Sequence, residues 1–325
     1  MVCSLCGANG RQLYQQLVDR LYQAAGTWNL RECVACGLTW ITPVQTEADI
    51  PALYKGYYTH QTAASSPPTA LRLTRRILTS TVGRHMLALL VKLGALPAAQ
   101  LPSLWRELWL DEGVTGCVLD VGCGNGHFLS ALRSLGWQTK GVEPDAAAAA
   151  VAREAAGLDV LHSSLEAAKL PEARFDVITM NHVIEHLPDP LGTLSECYRI
   201  LRPGGRLVIF TPNLASLGHR LFRSAWLHLD PPRHLFLFTP QTLPSAVERA
   251  GFRVESVRTV AGGAPLAWSA SRMIQRWRKL PQGWRSQVPR SIQAQAYIFG
   301  LVERLLNCVT NSGEELALVA VREAA

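Results

Sequence analysis

Five short stretches in the second half of the chain read as strands, each bounded by glycine, proline or polar residues. They are "VLDV" from Val118, "QTKGVEPD" around Val142, "LDVL" from Leu158, "RFDVITM" from Arg174 and "RLVIFTPN" from Arg206. Stretches of helical period separate them. A helix opens near His127, and the alanine-rich "AAAAAVAREAAG" follows the second strand with Asp145 as its N-cap. "LGTLSECYRIL" places Leu191, Leu194, Tyr198 and Leu201 on one face and stops at "RPGG". Strands alternating with helices predict an α/β fold, a doubly wound Rossmann-like sheet. Ligands bind such sheets at the carboxyl ends of the strands. Asp120 to Gly126, Glu143, Ser164 and Asn181 all fall there.

The preceding residues are patterned differently. "GLTWITP" is strand-like and ends in a turn at Pro43, after which Thr46 caps a helix with Asp49 as the acid three residues on. "HQTAASSPPTA" reads as linker, and "LRLTRRILTSTVGRHMLALLVKLGAL" returns to helix with Leu78, Val82, Met86, Leu89 and Leu93 on one side. The longest nearly apolar window, "MLALLVKLGALPAA", carries Lys92 and is shorter than the ~20 residues a spanning helix needs. "MVCSLCGANG" lacks the basic start and apolar stretch of a secretory signal. The expected location is the cytoplasm, where thiols stay reduced.

Hydrophobic content of 48% supports a packed core, and charged content of 18% excludes wholesale disorder. The net charge of +7 is unevenly placed. Residues 50–106 hold seven Lys/Arg and no Asp/Glu, and residues 256–302 again hold seven and none. The remaining 18 basic residues face 25 acidic ones, so an acidic body carries two basic segments. Such segments suit an anionic membrane surface, a phosphorylated carrier, or an ordinary solvated helix face. On the first of these readings the protein is peripheral to the inner face of the membrane.

Cys3-x-x-Cys6-Gly7 and Cys33-x-x-Cys36-Gly37 form two matching knuckles with 26 residues between them. Two such turns can supply four thiolates in a tetrahedron, the geometry of structural zinc. A redox motif would not need a duplicate. With all four ligands cysteine, the expected zinc is structural and not catalytic.

The turn "DVGCGNGHF" decides between nucleotide cofactors. Its glycines, Gly122, Gly124 and Gly126, make a G-x-G-x-G, with His127 where a dinucleotide fingerprint has its third glycine. Asp120 stands two residues before the first glycine. A carboxylate there opposes a pyrophosphate but suits the ammonium and sulfonium of S-adenosylmethionine. Glu143 ends the next strand, 17 residues after Gly126, where an acid can accept both hydroxyl protons of a ribose.

From about Gly116 to Arg322 the chain resembles a class I S-adenosylmethionine-dependent methyltransferase. "VLDVGCGNG", "GVEPD", "FDVITMNHVIEHLPDP", "RILRPGGRLVIFTPN" and "PPRHLFLFTP…AGF" follow in that family's order. "CSLCG…CVACGLTWITP…LYKGYY" resembles the zinc ribbon that precedes a subset of these enzymes. The resemblance implies a seven-stranded sheet whose last strand, "ELALVAVR", is antiparallel. It implies a ribbon over residues 1–45, a helical linker or lid over 46–115, and the methyltransferase domain over 116–325 with a helical insertion at about 264–310. Cofactor contacts are implied from Asp120, Gly122, Gly124, Asn125 and Gly126, and from Glu143 and Pro144 at the ribose. Ser164 and Leu165 are implied at the adenine, and Asn181 and His182 at the methionine portion. Ser163-Ser164 departs from the acid that the family often carries in the adenine loop.

Methyl transfer needs an acceptor held ~3–3.5 Å from the reactive carbon, with a base near its proton. His182 and His186 follow the fourth strand, and His228 and His234 lie beyond the fifth. His182, His186 and His234 are the catalytic candidates, against the plainer role of hydrogen-bonded structural histidines. "NHVIEH" also resembles the Glu-x-x-Glu-His cation cluster of quinone-pathway O-methyltransferases, with His182 in place of the first acid. Magnesium prefers oxygen ligands, so Glu185 is expected simply to favour the start of a short helix. The expected acceptor is a small molecule or a glycan- or lipid-linked group, methylated on oxygen or carbon. An RNA base is the weaker candidate, since no Asn-Pro-Pro-Tyr-like motif follows the fourth strand. A non-catalytic zinc-ribbon interaction protein is the alternative of a different class.

Overall fold

The computed structural model describes residues 2–44, 116–134, 136–281 and 283–324. The predicted Thr46 cap, the linker and the helix carrying Leu78 to Leu93 lie outside the described residues.

The main sheet is built from β4 (Cys117–Val121), β5 (Gln138–Glu143), β6 (Val160–His162), β7 (Phe175–Asn181), β8 (Leu201–Pro212), β10 (Arg253–Val260) and β11 (Glu315–Val321). Its order is β10-β11-β8-β7-β4-β5-β6, with β11 antiparallel to both neighbours and the rest parallel. Seven strands with the last one reversed is the expected sheet. β4 is buried along its whole length, as a central strand covered on both faces must be.

The flanking helices begin and end where local chemistry dictates. Helix α1 (His127–Ser134) follows the glycine turn. Helix α2 (Ala146–Ala156) opens on Asp145, whose side chain accepts from the Ala148 amide, and closes on Gly157 at φ 59°. Helix α3 (Pro190–Ile200) opens on Asp189, which accepts from the Gly192 amide. The "RPGG" stretch, expected as a helix stop ahead of the strand, already belongs to β8. Leu201 pairs with Phe175 before a register shift, so the strand starts as soon as α3 ends.

The N-terminal residues form a second sheet from β1 (Gly10–Leu17), β2 (Trp28–Cys33) and β3 (Thr39–Thr42), all antiparallel. Its fourth strand is β9 (Phe236–Leu237), which comes from far along the chain and pairs with β3 through Trp40–Phe236 and Thr39–Leu237. Leu5, Leu30 and Ile41 of the ribbon share one continuous core with Leu237, Leu243 and Ile209. A buried Arg233 (1% exposed) fixes the junction. It makes a bidentate pair with Asp19, at 2.9 and 2.7 Å, and binds Asp230 from its own loop.

Short helix α4 (Leu217–Phe222) and helix α5 (Thr242–Arg249) follow β8 and β9. Between β10 and β11 stand α6 (Ala264–Trp277) and α7 (Arg290–Thr310). They pack closely because α7 has a glycine where they meet. A Cβ on Gly300 would come 2.8 Å from Pro265, and the Trp268 and Phe299 rings lie 6.0 Å apart.

Candidate functional site

The glycine loop joins β4 to α1 at the carboxyl edge of the sheet. Gly122, Gly124 and Gly126 have φ of 65°, 55° and 75°, a backbone path open to glycine at little cost. Two are also fixed by packing: an added Cβ would lie 2.6 Å from Val183 at Gly122 and 2.3 Å from Leu158 at Gly126. Glu143, at the end of β5, accepts from the Gly124 amide at 2.7 Å and the Asp145 amide at 2.9 Å. Asp120 is buried beneath the loop and accepts from Thr179 at 2.6 Å. Burial, abetted by the charge of Glu143, pushes its carboxyl up to about 7.

Beside this loop, the chain leaving β7 turns sharply. His182 takes φ 55°, and Ile184–His186 make one turn of 3-10 helix. The His182 ring bridges two carboxylates, with Nδ1 3.3 Å from Glu185 and Nε2 3.1 Å from Glu315 at the start of β11. Burial opposes a charge there, but the two carboxylates outweigh it and raise the ring well above its ordinary value. Glu185 is fully buried and accepts from Thr211 at 2.9 Å. Despite burial, its histidine neighbours hold it down to about 2. Glu185 stands in the first turn of this short helix, as expected, and its carboxylate also turns inward to His182 and Thr211.

His186 and His234 complete the cluster, their rings edge to face at 4.7 Å. His186 Nδ1 lies 3.0 Å from the Arg233 carbonyl, and His234 Nδ1 lies 2.7 Å from the His228 carbonyl. A carbonyl only accepts, so each Nδ1 carries a proton. Burial and the neighbouring His234 push His186 down to about 4, and burial with His182 and His234 does the same to His228. His228 stacks at 6.5 Å on His182. Ligand atoms of Glu185, His186 and His234 all lie within 4.8 Å of one another.

A second cluster lies in the ribbon. Cys3, Cys6, Cys33 and Cys36 converge with all four sulfurs within 4.8 Å, the closest pairs at 3.3 and 3.6 Å. Both knuckles close through an amide of the following glycine, Gly7 to the Cys3 carbonyl and Gly37 to the Cys33 carbonyl. Gly7 and Gly37 hold φ of 77° and 79°. Four cysteines on two rigid turns match the donor set and shape of tetrahedral structural zinc.

A family described as "Methyltransferase domain" matches residues 96–257. A protein of Mycolicibacterium smegmatis named a probable S-adenosylmethionine-dependent methyltransferase is 35% identical over 151 residues, 46% of this chain and 57% of that one. By sequence, residues 96–257 are a methyltransferase domain similar to S-adenosylmethionine-dependent enzymes. The ubiquinone biosynthesis O-methyltransferase of Pseudomonas entomophila is 37% identical over 117 residues, 33% of this chain and 50% of that one. The chain spans about half the length of the curated relatives it matches. Among solved structures, an S-adenosylmethionine-dependent methyltransferase of Thermotoga maritima aligns with a TM-score of 0.47 and 20% identity, covering 84% of this chain and 99% of that one.

The cofactor of such a methyltransferase domain is S-adenosylmethionine, and the loop suits it. Two acids, Asp120 and Glu143, stand at the carboxyl ends of adjacent parallel strands, and burial first, then the charge of Glu143, raises Asp120. An ammonium or sulfonium would relieve that repulsion, whereas a pyrophosphate would add to it. The remaining predicted contacts are distributed around the same edge. Asn125 accepts from the His127 amide at 3.3 Å. The Pro144 carbonyl lies 3.1 Å from His162 Nε2. Ser164 caps its own turn by accepting from Ala167, and Leu165 is buried. Asn181 is exposed at the end of β7. Glu315 and Thr211 fall in "ELALVAVR" and "RLVIFTPN", stretches read only as strands, and the fold delivers them to His182 and Glu185.

Proposed function

We propose that the protein transfers the methyl group of S-adenosylmethionine to an oxygen or carbon of a small molecule or a glycan- or lipid-linked acceptor. One observation supports this most. The histidine–carboxylate cluster adjoins the cofactor loop, because Val183, between His182 and the 3-10 turn, packs against Gly122. On this reading, proton-transfer groups border the place where the methyl would be presented.

S-adenosylmethionine, when bound, supplies the electrophilic methyl group. In this reading Asp120, Gly122, Gly124, Asn125 and Gly126 shape its methionine end, with Asn181 and His182 alongside. Glu143 and Pro144 hold the ribose, and Ser164 and Leu165 border the adenine. His182, charged between two carboxylates, orients and supplies positive charge and does not accept a proton. His186 is neutral near pH 7, with Nε2 as its accepting atom, and takes the acceptor's proton. The adjacent Glu185 carboxylate stabilises the imidazolium that forms. His234 supports the His186 ring edge to face.

The test is twofold. Titration calorimetry should show S-adenosylmethionine binding, and failure to bind would leave only the interaction-module reading. Screening against nucleotide sugars, phenols and rRNA should then give turnover with a small or glycan acceptor. His186→Gln should lower kcat with little change in cofactor affinity. Turnover confined to rRNA would overturn the acceptor class. Metal that survives in a ribbon variant and is lost with His234→Ala would replace the base by a divalent cation at Glu185, His186 and His234.

A further inference from the structure

Helix α7 is built with its polarity partly reversed. Its buried face includes Ile292, Ala296, Phe299 and Gly300, but also the carboxylate of Glu303. The outer face carries Tyr297, Ile298, Leu301, Val302, Leu305 and Val309, with Tyr297 70%, Leu305 74% and Val309 81% exposed. Their spacing makes a continuous apolar strip along the second half of a helix about 31 Å long. Among the described residues nothing covers it. Strips of this kind on a protein surface mark an interaction site.

Charges at the N-terminal end of α7 bear on its occupant. Arg272, Arg276, Arg278, Lys279 and Arg290 are all exposed around the connection between α6 and α7. The Arg276 guanidinium lies 5.8 Å from the centre of the half-exposed Trp277 ring. Residues 256–302 contain no acid. A second copy would set one basic, acid-free segment against another. An anionic bilayer meets both requirements: apolar depth for the strip and phosphates for the arginines. No helix of the described residues is long and apolar enough to cross a membrane, so α7 would lie along the surface and not span it.

We propose that the outer face of α7, with the basic α6–α7 connection, docks on an anionic lipid surface. This surface stands apart from the methyl-transfer reading, since none of its residues belongs to the cofactor loop or the histidine cluster.

Flotation of the full chain with phosphatidylcholine vesicles, with and without phosphatidylglycerol, tests it. Binding should require phosphatidylglycerol and fall with added salt. Leu301→Gln/Leu305→Gln and Arg272→Gln/Arg276→Gln/Arg278→Gln should each weaken it by about tenfold or more. These side chains are exposed, so the variants should keep the wild-type circular dichroism and S-adenosylmethionine affinity. Exposed Cys308 on the same helix is a built-in probe. Its alkylation, read by peptide mass spectrometry, should be fast in solution and slowed by phosphatidylglycerol vesicles. Slow alkylation without lipid at every protein concentration would mean that another part of the chain covers the strip. Slow alkylation only at high protein concentration would mean a second copy. Either result, or no vesicle binding at low salt, overturns the proposal.

Discussion

Glu143 holds the backbone on two sides, with one carboxylate oxygen on the Gly124 amide and the other on the Asp145 amide. Hydrogen bonds to a charged group contribute about 1.5–3 kcal/mol each. Glu143→Ala should therefore lower S-adenosylmethionine affinity by at least about tenfold while the far-ultraviolet circular dichroism stays unchanged. Calorimetric affinity equal to wild type would remove Glu143 from the ribose. Asp120→Asn should weaken the same cofactor without creating NAD binding. The glycine loop and Glu143 are legible in sequence because their geometry is local: a strand, a turn that needs positive φ, and an acid at the next strand end. The histidine cluster is legible only in part. His182, His186, His228 and His234 stand out as residue types, but Glu315 reaches His182 across 133 positions of chain. Equally, no pattern announces that His182 adopts φ 55° and so turns its ring between two acids.

For single elements, the ribbon and α7 make opposite cases. The knuckles repeat a spacing that metal chemistry fixes, so the four cysteines can be read directly from the chain. Elemental analysis should find one zinc per chain, lost in Cys36→Ser together with the ribbon's protection from proteolysis. Apparent binding energies of about 10–16 kcal/mol are typical of such sites, enough to decide whether so small a sheet folds. Helix α7 defeats the pattern, because apolar periodicity normally points inward and here much of it points out. Its buried Glu303 is pushed by burial and by Glu314 from 4.5 up to about 9, and Glu314 itself rises to about 7, with Glu315 adding to both and Arg304 acting against the shift in Glu303. Raised carboxyls bind protons more tightly in the fold than in the unfolded chain. Their contribution to stability is complete below about pH 4.5 and is lost as the pH rises through about 7 and then about 9. Thermal midpoints of Glu303→Gln should accordingly fall less than wild type between mildly acidic and alkaline buffer. Parallel curves for the two proteins would show that Glu303 does not titrate in this way.

Across the whole molecule, the ribbon and the catalytic domain share one core, and Arg233 is their electrostatic tie. Its guanidinium is bound by Asp19 from one part and Asp230 from the other. Removing one partner of a buried pair costs about 3–5 kcal/mol, since the remaining charge stays desolvated. Asp19→Ala should lower the calorimetric midpoint of the entire protein in a single transition. Two separated transitions, with only the ribbon affected, would show that the parts melt independently.

The strand β9 carries the same dependence into inheritance. Because residues 236–237 complete a sheet begun at residue 10, the N-terminal module is not a cassette. A chimaera joining these first 44 residues to a related domain would leave β3 without its edge partner and Asp19 without its arginine. The reciprocal chimaera would leave Arg233 one acid short in a sealed interface. Viable recombinants must move the ribbon together with the Asp230–Leu237 loop, two pieces of gene almost 200 codons apart. Substitutions at position 19 and position 233 should therefore occur as pairs in functional descendants, however far apart the breakpoints fall.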